Sequence, residues 1–393
     1  MVHMVYPLTC DSHGSEEKEA MKRVIESGLL TVPSGKIVHQ FEEEFAKKVG
    51  AKYAVMVNSG SSANLIAIAS LFYKKDRPLK RGDEIIVPAI GWSTSFAPLQ
   101  QYGLKVKIVD VELNTLNINV MNVLDAITPK TRAILVVNIL GNPANLRALR
   151  NICDHHGFDF IEDNCESLAA TFQGKQCGTF GDMGTSSFFY SHHLSTGEGG
   201  MLVTESQELR DIARSLRDHG WTRSLPADSV IYQKKSGDRF EAYRFILPGY
   251  NLRPQEVNGA AGLEQLKKLD AFIEQRRKNA KVFQKLFTGD DRFIIQKENG
   301  KSSWFNFAVI LNPKYKADRE KVFNGLKEAS IEHRIITGGN VVRHDMISHF
   351  DYEVVGGLQN ADIAHDWGFF VGNFGKDLSD LIRYFHETLL KLV

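Results

Sequence analysis

Between Ser187 and Gly200 the chain reads S-F-F-Y-S-H-H-L-S-T-G-E-G-G. A serine opens the stretch, His192 and His193 stand in its middle, and glycine dominates its end. No lysine lies between Lys175 and Lys234. An imidazole such as that of His192 accepts and returns a proton near neutral pH, but it does not form a stable imine with an aldehyde as an amine does. The segment therefore offers proton transfer without a covalent anchor.

Upstream of this stretch, from about Tyr53 to Thr204, short apolar runs alternate with amphipathic ones. That alternation predicts strand and helix units around a mainly parallel sheet, an α/β fold. The strands are expected at Tyr53 to Val57, Glu84 to Val87, Val106 to Val109, Ala133 to Val137 and Phe158 to Ile161. Helices are expected at Ser62 to Phe72, Ser93 to Gln101, Met121 to Ile127 and Leu146 to His156. Right-handed crossovers would bring the carboxyl ends of the strands to one edge, where such sheets bind ligands. Nearer the start, Ile37 to Val49 places Val38, Phe41, Phe45 and Val49 on one helical face, with Gly50 as the stop.

After Pro254 the pattern changes. Val257 to Phe287 is long, charged and periodic, the signature of a helix bridging two domains. Beyond it, Trp304 to Leu311 and Ile331 to Ile336 read as strands, and Arg319 to Ala329 and Asp377 to Leu392 as helices. The expected division is a large α/β domain over residues 1–253, with an N-terminal helical segment, and a small α+β domain over 254–393 led by the bridging helix. Tyr232 to Ala242 reads as a loop excursion.

With 393 residues the chain has room for two cores, and 48 basic against 47 acidic residues leave a net charge of +1. Without a basic run, nucleic acid is not an expected partner. Cys10, Cys153, Cys165 and Cys177 lack C-x-x-C spacing, so disulfide, zinc and iron-sulfur frameworks have no support and a reducing, cytoplasmic setting is expected. The opening has no apolar signal region and no run approaches membrane-spanning length, so no membrane association is expected.

Several short motifs carry chemistry. N-S-G-S-S-A-N at Asn58 to Asn64 follows a strand and opens a helix, so Gly60 and Ser61 can present backbone N–H groups to an anion, although packing alone also calls for small residues there. In I-E-D-N-C-E-S, Ile161 to Ser167, a strand runs into carboxylates. Asp163 can hold the nitrogen of a heteroaromatic cofactor protonated, or cap a following helix, and Glu162 should face the other way. P-A-I-G-W-S-T-S sets Trp92 before a helix, where its indole can lie on a flat ring or simply join the core. Ser187 adds a hydroxyl. Metal binding is not expected, because His192 and His193 diverge and H-D-M-I-S-H at His344 to His349 lacks zincin spacing.

Taken in order, these pieces resemble the sugar aminotransferase branch of the aspartate aminotransferase (fold-type I) family, whose cofactor is pyridoxal 5'-phosphate (PLP). The resemblance covers nearly the whole chain. It extends to H-G-W-T-R at His219 to Arg223, P-G-Y-N-L-R-P at Pro248 to Pro254 and E-Q-L-K-K-L at Glu264 to Leu269. In similar sequences the frame S-F-x-x-x-K-x-[IL]-x-x-G-E-G-G carries the lysine that holds PLP, and here His192 stands in its place. Y-S-H-H and H-G-W-T-R most resemble the group in that branch that removes the C3 hydroxyl of 4-keto-6-deoxy nucleotide sugars such as GDP-4-keto-6-deoxymannose, on the way to deoxysugars of O-antigen lipopolysaccharide. Gly197 departs from that group, where methionine is expected, and follows the wider family.

The resemblance implies that Gly60, Ser61 and Ser187 hold the cofactor phosphate, Asp163 its pyridinium and Trp92 its ring face. Asn251 would reach the phosphate of a neighbouring subunit's cofactor, which implies a homodimer. Glu166 is a further cofactor contact, and His219, Arg223 and Arg253 are candidate substrate contacts. L-Glutamate would convert PLP to pyridoxamine 5'-phosphate (PMP), the sugar's C4 ketone would condense with it, and His192 would move the proton from the cofactor's C4' carbon as the C3 hydroxyl leaves. Three alternatives stay open at this level: an aminotransferase that uses His192 as its base and delivers an amino sugar, a non-catalytic binding protein, and a dehydratase of the iron-sulfur type, to which the dispersed cysteines do not conform.

Overall fold

Nine strands follow one another through the first part of the chain in the computed structural model, which describes residues 5–31, 36–235 and 237–393. They are β1 (Tyr53–Val57), β2 (Glu84–Pro88), β3 (Lys105–Val109), β4 (Thr131–Val137), β5 (Asp159–Asp163), the short hairpin β6 (Thr171–Phe172) and β7 (Lys175–Gln176), β8 (Met183–Ser187) and β9 (Gly200–Thr204). Later come β10 (Phe293–Ile295), β11 (Asn306–Leu311), β12 (His333–Ile335), β13 (Tyr352–Val354) and β14 (Gly368–Gly372). The large sheet has the order β1-β9-β8-β5-β4-β2-β3-β13. β9 is antiparallel to both β1 and β8, and the remaining neighbours in the sheet are parallel. Parallel strands need crossovers, and helices Gly60–Tyr73, Ser93–Gln101, Val120–Asp125 and Leu146–His156 supply them. Every residue of β2, β5, β8 and β9 is buried, as expected when both faces of a sheet are covered.

The helix Ile37–Val49 forms where its periodicity predicts. Val38, Phe41, Phe45 and Val49 are buried against Phe188, Leu194 and Met201, each apolar side chain contributing ~1.5–3 kcal/mol. Gly50 closes the helix at φ 75°, a left-handed conformation that glycine adopts without a Cβ clash. The bridging helix, Glu256–Phe287, crosses this one through Gly262, where a Cβ would stand 2.5 Å from the Phe41 ring. Its far end sends Ala280, Phe283 and Phe287 into a second core with Phe307, Phe369 and Phe385. That core lies on the antiparallel sheet β10-β11-β14-β12.

Four details differ from the sequence reading. Tyr6, near the start of the chain, is buried in the second core, pairs with Ile331 and donates its hydroxyl to the Gly372 carbonyl at 2.7 Å. β13, from the far end of the chain, returns to pair in parallel with β3 at the edge of the large sheet. β11 starts at Asn306 rather than Trp304, because Trp304 has φ 49° and breaks the extended run. β8 and β9 were not among the expected strands; they flank the His192 segment and aim it at the sheet edge.

Candidate active site

The turn before helix Gly60–Tyr73 and the segment opened by Ser187 are pressed together. A Cβ on Gly60 would stand 2.6 Å from Ser187 Cβ and 3.0 Å from Cys165 Sγ, and one on Gly200 would collide with the Ser59 carbonyl. Glycine at both positions is therefore a packing requirement. Ser59 caps the helix by accepting from the Ser62 N–H at 3.1 Å. The N–H groups of Gly60 and Ser61, first in the helix, have no carbonyl one turn earlier to receive them. With the Ser61 and Ser187 hydroxyls they make a cradle for an anion. Ser61 Oγ is 2.7 Å from Thr94 Oγ1, which ties the cradle to the next helix.

That next helix, Ser93–Gln101, also reaches Asp163. Asp163 closes β5 and is buried. Its Oδ2 accepts from Asn64 Nδ2 at 2.7 Å and Ser95 Oγ at 2.6 Å, and its Oδ1 accepts from the Cys165 N–H at 3.1 Å. A carboxylate has about four acceptor sites, and beyond these three donors the Cys165 thiol also bonds Asp163, a weak donor that a pyridinium N–H can displace. No helix follows that Asp163 would cap. Glu162 takes the Gly178, Phe180 and Gly181 N–H groups, a structural role on the opposite face, as the two-residue strand period predicts. Trp92 immediately precedes the helix and is 59 % exposed, so it is not a core residue and its indole is open to a ligand. Asn64, Thr94 and Ser95 were missed by the sequence reading. Asn64 lies one helical turn after Gly60, within the motif already singled out, and that spacing was the available signal.

His192 lies five residues beyond Ser187, its ring 5.0 Å from that of Phe305 and 6.1 Å from that of Phe189. Burial pushes its pKa down to about 3, with the Arg276 charge adding to the effect. The sequence reading expected titration near neutrality; apolar surroundings instead hold the imidazole in its neutral, proton-accepting form. Its Nδ1 is buried without a partner among the described residues. Glu166 accepts from the Leu140 N–H at 2.8 Å and the Thr337 hydroxyl at 3.2 Å. Burial first, and the Asp163 charge second, push its carboxyl up to about 7. Leu140 and Thr337 sit at φ 52° and 38°, left-handed conformations that cost a non-glycine residue about 1–3 kcal/mol and mark a site the surrounding fold holds under strain.

The other candidates form a second group around Asp218. Gly220 and Gly249 pack backbone against backbone, which joins the H-G-W-T-R and P-G-Y-N-L-R-P motifs. Buried Asp218 lies 3.4 Å from Arg253 Nη1 and 3.8 Å from His219 Nε2. Asn251 is exposed, and its Oδ1 accepts from Arg253 Nε at 3.1 Å, which leaves its amide N–H groups free to face a ligand. Arg223 is exposed, its guanidinium 5.3 Å above the Trp221 ring. This group meets the anion cradle through the backbone, where the Asn58 N–H donates to the Leu252 carbonyl at 3.0 Å. Gly60, Ser61, Trp92, Asp163, Glu166 and Ser187 thus gather into one site, whereas Asn251, His219, Arg223 and Arg253 line a neighbouring surface. Gly197 has φ 79° with open space around it, so backbone conformation favours glycine there over the expected methionine.

The first group has what a phosphorylated pyridine needs: an anion cradle, a buried carboxylate with a weak, displaceable donor, and an exposed indole. Comparison with known proteins agrees. The chain is 47 % identical over 388 residues to the GDP-4-keto-6-deoxy-D-mannose 3-dehydratase of Yersinia pseudotuberculosis, covering 98 % of each. It superposes with a TM-score of 0.95 on the E. coli GDP-4-keto-6-deoxy-D-mannose-3-dehydratase with bound hydrated PLP, at 47 % identity, covering 98 % of this chain and 100 % of that one. The same score, identity and coverage hold for a GDP-4-keto-6-deoxymannose-3-dehydratase with a trapped PLP-glutamate geminal diamine. A family model matches residues 11–369, and the chain belongs to the DegT/DnrJ/EryC1/StrS aminotransferase family.

Proposed function

We propose that this protein is a PLP- and glutamate-dependent dehydratase that removes the C3 hydroxyl of a 4-keto-6-deoxy nucleotide sugar, with GDP-4-keto-6-deoxymannose as substrate. The observation that carries the reading is His192: an imidazole kept neutral by burial stands where the family's anchoring lysine is expected. PLP, in its amine form once glutamate has reacted, supplies an electron-accepting ring joined to the sugar at C4.

The chain's own residues do the rest. Gly60, Ser61 and Ser187 hold the phosphate, Asp163 keeps the ring nitrogen protonated, and Trp92 covers the ring face. Asn64 and Ser95 keep Asp163 in place. His192 takes the proton from the cofactor's C4' carbon and hands it to the departing C3 hydroxyl, one imidazole serving first as base and then as acid. With no amine in the segment, nothing recaptures the cofactor covalently. Glu166, its carboxyl raised to about 7 by burial and by the Asp163 charge, would be a further contact to the cofactor. Exposed Asn251 reaches the cofactor phosphate of a second copy in a homodimer, and His219, Arg223 and Arg253 meet the nucleotide sugar from the same surface. Four free cysteines suit the reducing cytoplasm as the place of reaction.

The test is a product analysis with L-glutamate and GDP-4-keto-6-deoxymannose. Free ammonia and a 3-deoxy-4-keto sugar are expected. An amine retained on the sugar would make the protein an aminotransferase and refute dehydration.

A further inference from the structure

Phe305 connects the Glu166 corner to a cavity behind His192: its N–H donates to the Leu140 carbonyl at 3.0 Å, and its carbonyl accepts from Arg276 Nη1 at 2.8 Å. The cavity measures about 110 Å³, and its wall includes Cys10, Asp11, His192, His193, Arg276 and Lys376. Arg276 is 3 % exposed and forms no ion pair with a carboxylate of any described residue. Its Nη1 donates to the Phe305 and Asn373 carbonyls, and its Nε has no partner among the described residues. The Nδ1 atoms of both histidines are likewise buried and have no partner among the described residues. Asp11 is the one acidic residue in the wall; its Oδ1 is engaged by the His13 N–H at 2.9 Å, and Lys376 offsets its charge.

A buried guanidinium without a counter-charge is costly, and burial pulls the pKa of Arg276 down to about 9. His193 Nε2 faces the Ser303 carbonyl and so carries the ring's proton, which leaves its Nδ1 an acceptor; the unpartnered Arg276 Nε–H and the net positive wall call for an acceptor-rich anion. The volume equals roughly three to four waters, enough for a carboxylate and an adjoining methylene. A planar carboxylate also matches the fork of an arginine. We propose that this cavity is a carboxylate-binding site, filled by the side-chain carboxylate of the amino donor or by a free small carboxylate. The donor form of the proposal rests on the glutamate-dependent reaction argued above.

The test uses the PLP-loaded protein with ¹⁵N-labelled histidine, acetate as probe, and signals assigned through His192→Asn and His193→Asn variants. Acetate should shift the side-chain resonances of His192 and His193 saturably, and Lys376→Gln should weaken that binding about tenfold. A second arm compares PMP formation from L-glutamate with that from L-norvaline, which has the same carbon count but no side-chain carboxylate. If the donor fills the cavity, Lys376→Gln lowers the preference for glutamate about tenfold and acetate competes with glutamate. If a free carboxylate fills it, the preference is unchanged while the acetate response persists, and the carboxylate site still stands. Histidine resonances that ignore acetate, together with an unchanged donor preference, overturn the proposal. A wild-type protein that makes no PMP from glutamate refutes the proposed reaction instead, and the acetate response alone then decides the cavity.

Discussion

Replacing Glu166 by glutamine isolates one electrostatic quantity. The carboxyl, half-buried between the Leu140 N–H and the Thr337 hydroxyl, is raised from 4.5 to about 7 in the folded chain, by burial and then by Asp163. Between those values the folded state holds a proton that the unfolded state has released, so stability falls as pH rises through the window. The effect is absent below the unfolded value and complete above the folded one. Each pH unit of the window is worth ~1.4 kcal/mol, which sets a ceiling of ~3 kcal/mol; partial exposure of the side chain brings the expectation to about 2 kcal/mol. Glutamine keeps an acceptor for both donors and never ionises. In urea unfolding of the ligand-free protein, Glu166→Gln should therefore gain about 2 kcal/mol on the parent between about pH 5 and about pH 8. A difference between the two proteins that stays constant over that range refutes the assignment of the raised carboxyl to Glu166.

Three further outcomes follow from the same geometry. Borohydride should leave PLP unattached on the parent protein and trap it covalently on His192→Lys, read by mass spectrometry; trapping on the parent would show that another amine anchors the cofactor. Gly60→Ala forces a Cβ to within 2.6 Å of Ser187 Cβ, so it should cost about 1–3 kcal/mol and weaken PLP binding in a fluorescence titration; unchanged melting and affinity would count against the tight cradle. Glu42 is buried and accepts from the Met56 N–H at 2.8 Å, Arg217 at 2.7 Å and Arg214 at 2.9 Å, and its pKa is lowered to about 2 despite burial. Its contribution is present above the unfolded value of 4.5 and fades as pH falls toward 2; Glu42→Gln, which leaves buried Arg217 and half-buried Arg214 without their carboxylate, should lose about 3 kcal/mol near pH 7 in chemical unfolding and show a shallower acid transition than the parent.

The strands that announced themselves in the sequence are those whose own side chains supply the burial. Tyr53–Val57, Glu84–Pro88 and Thr131–Val137 are rich in valine, isoleucine and alanine and were found to within two residues. β8, M-G-T-S-S, was not, because its burial is imposed by β5 and β9 on its flanks. Its smallness has a cause elsewhere: a Cβ on Gly184 would collide with the Gly178 backbone. A strand selected for what it must avoid carries little hydrophobic signal. The contrast between Glu162 and Asp163 was legible, since strand period alone sends them to opposite faces. The donors that hold Asp163, Asn64 and Ser95, were not, because a lone asparagine or serine on a helix has no pattern that names its partner.

The proton affinity of His192 belongs to the same class of hidden facts, since it is set by Phe305 and Arg276, both contributed by the far part of the chain. Losing the family's lysine removes a covalent bond, and whatever holds the cofactor must then come from reversible contacts. Those contacts are interlocked: Gly60 is pressed on Ser187, Ser61 is hydrogen-bonded to Thr94, and the helix that carries Thr94 also carries Ser95 onto Asp163. These contacts are made within the chain itself, so binding need not build them. On the proposed assignment of the site, this interlocked cradle does the work that a covalent anchor would do, and a substitution that loosens Ser95 should weaken cofactor retention here more than in a relative that keeps a lysine at the position of His192.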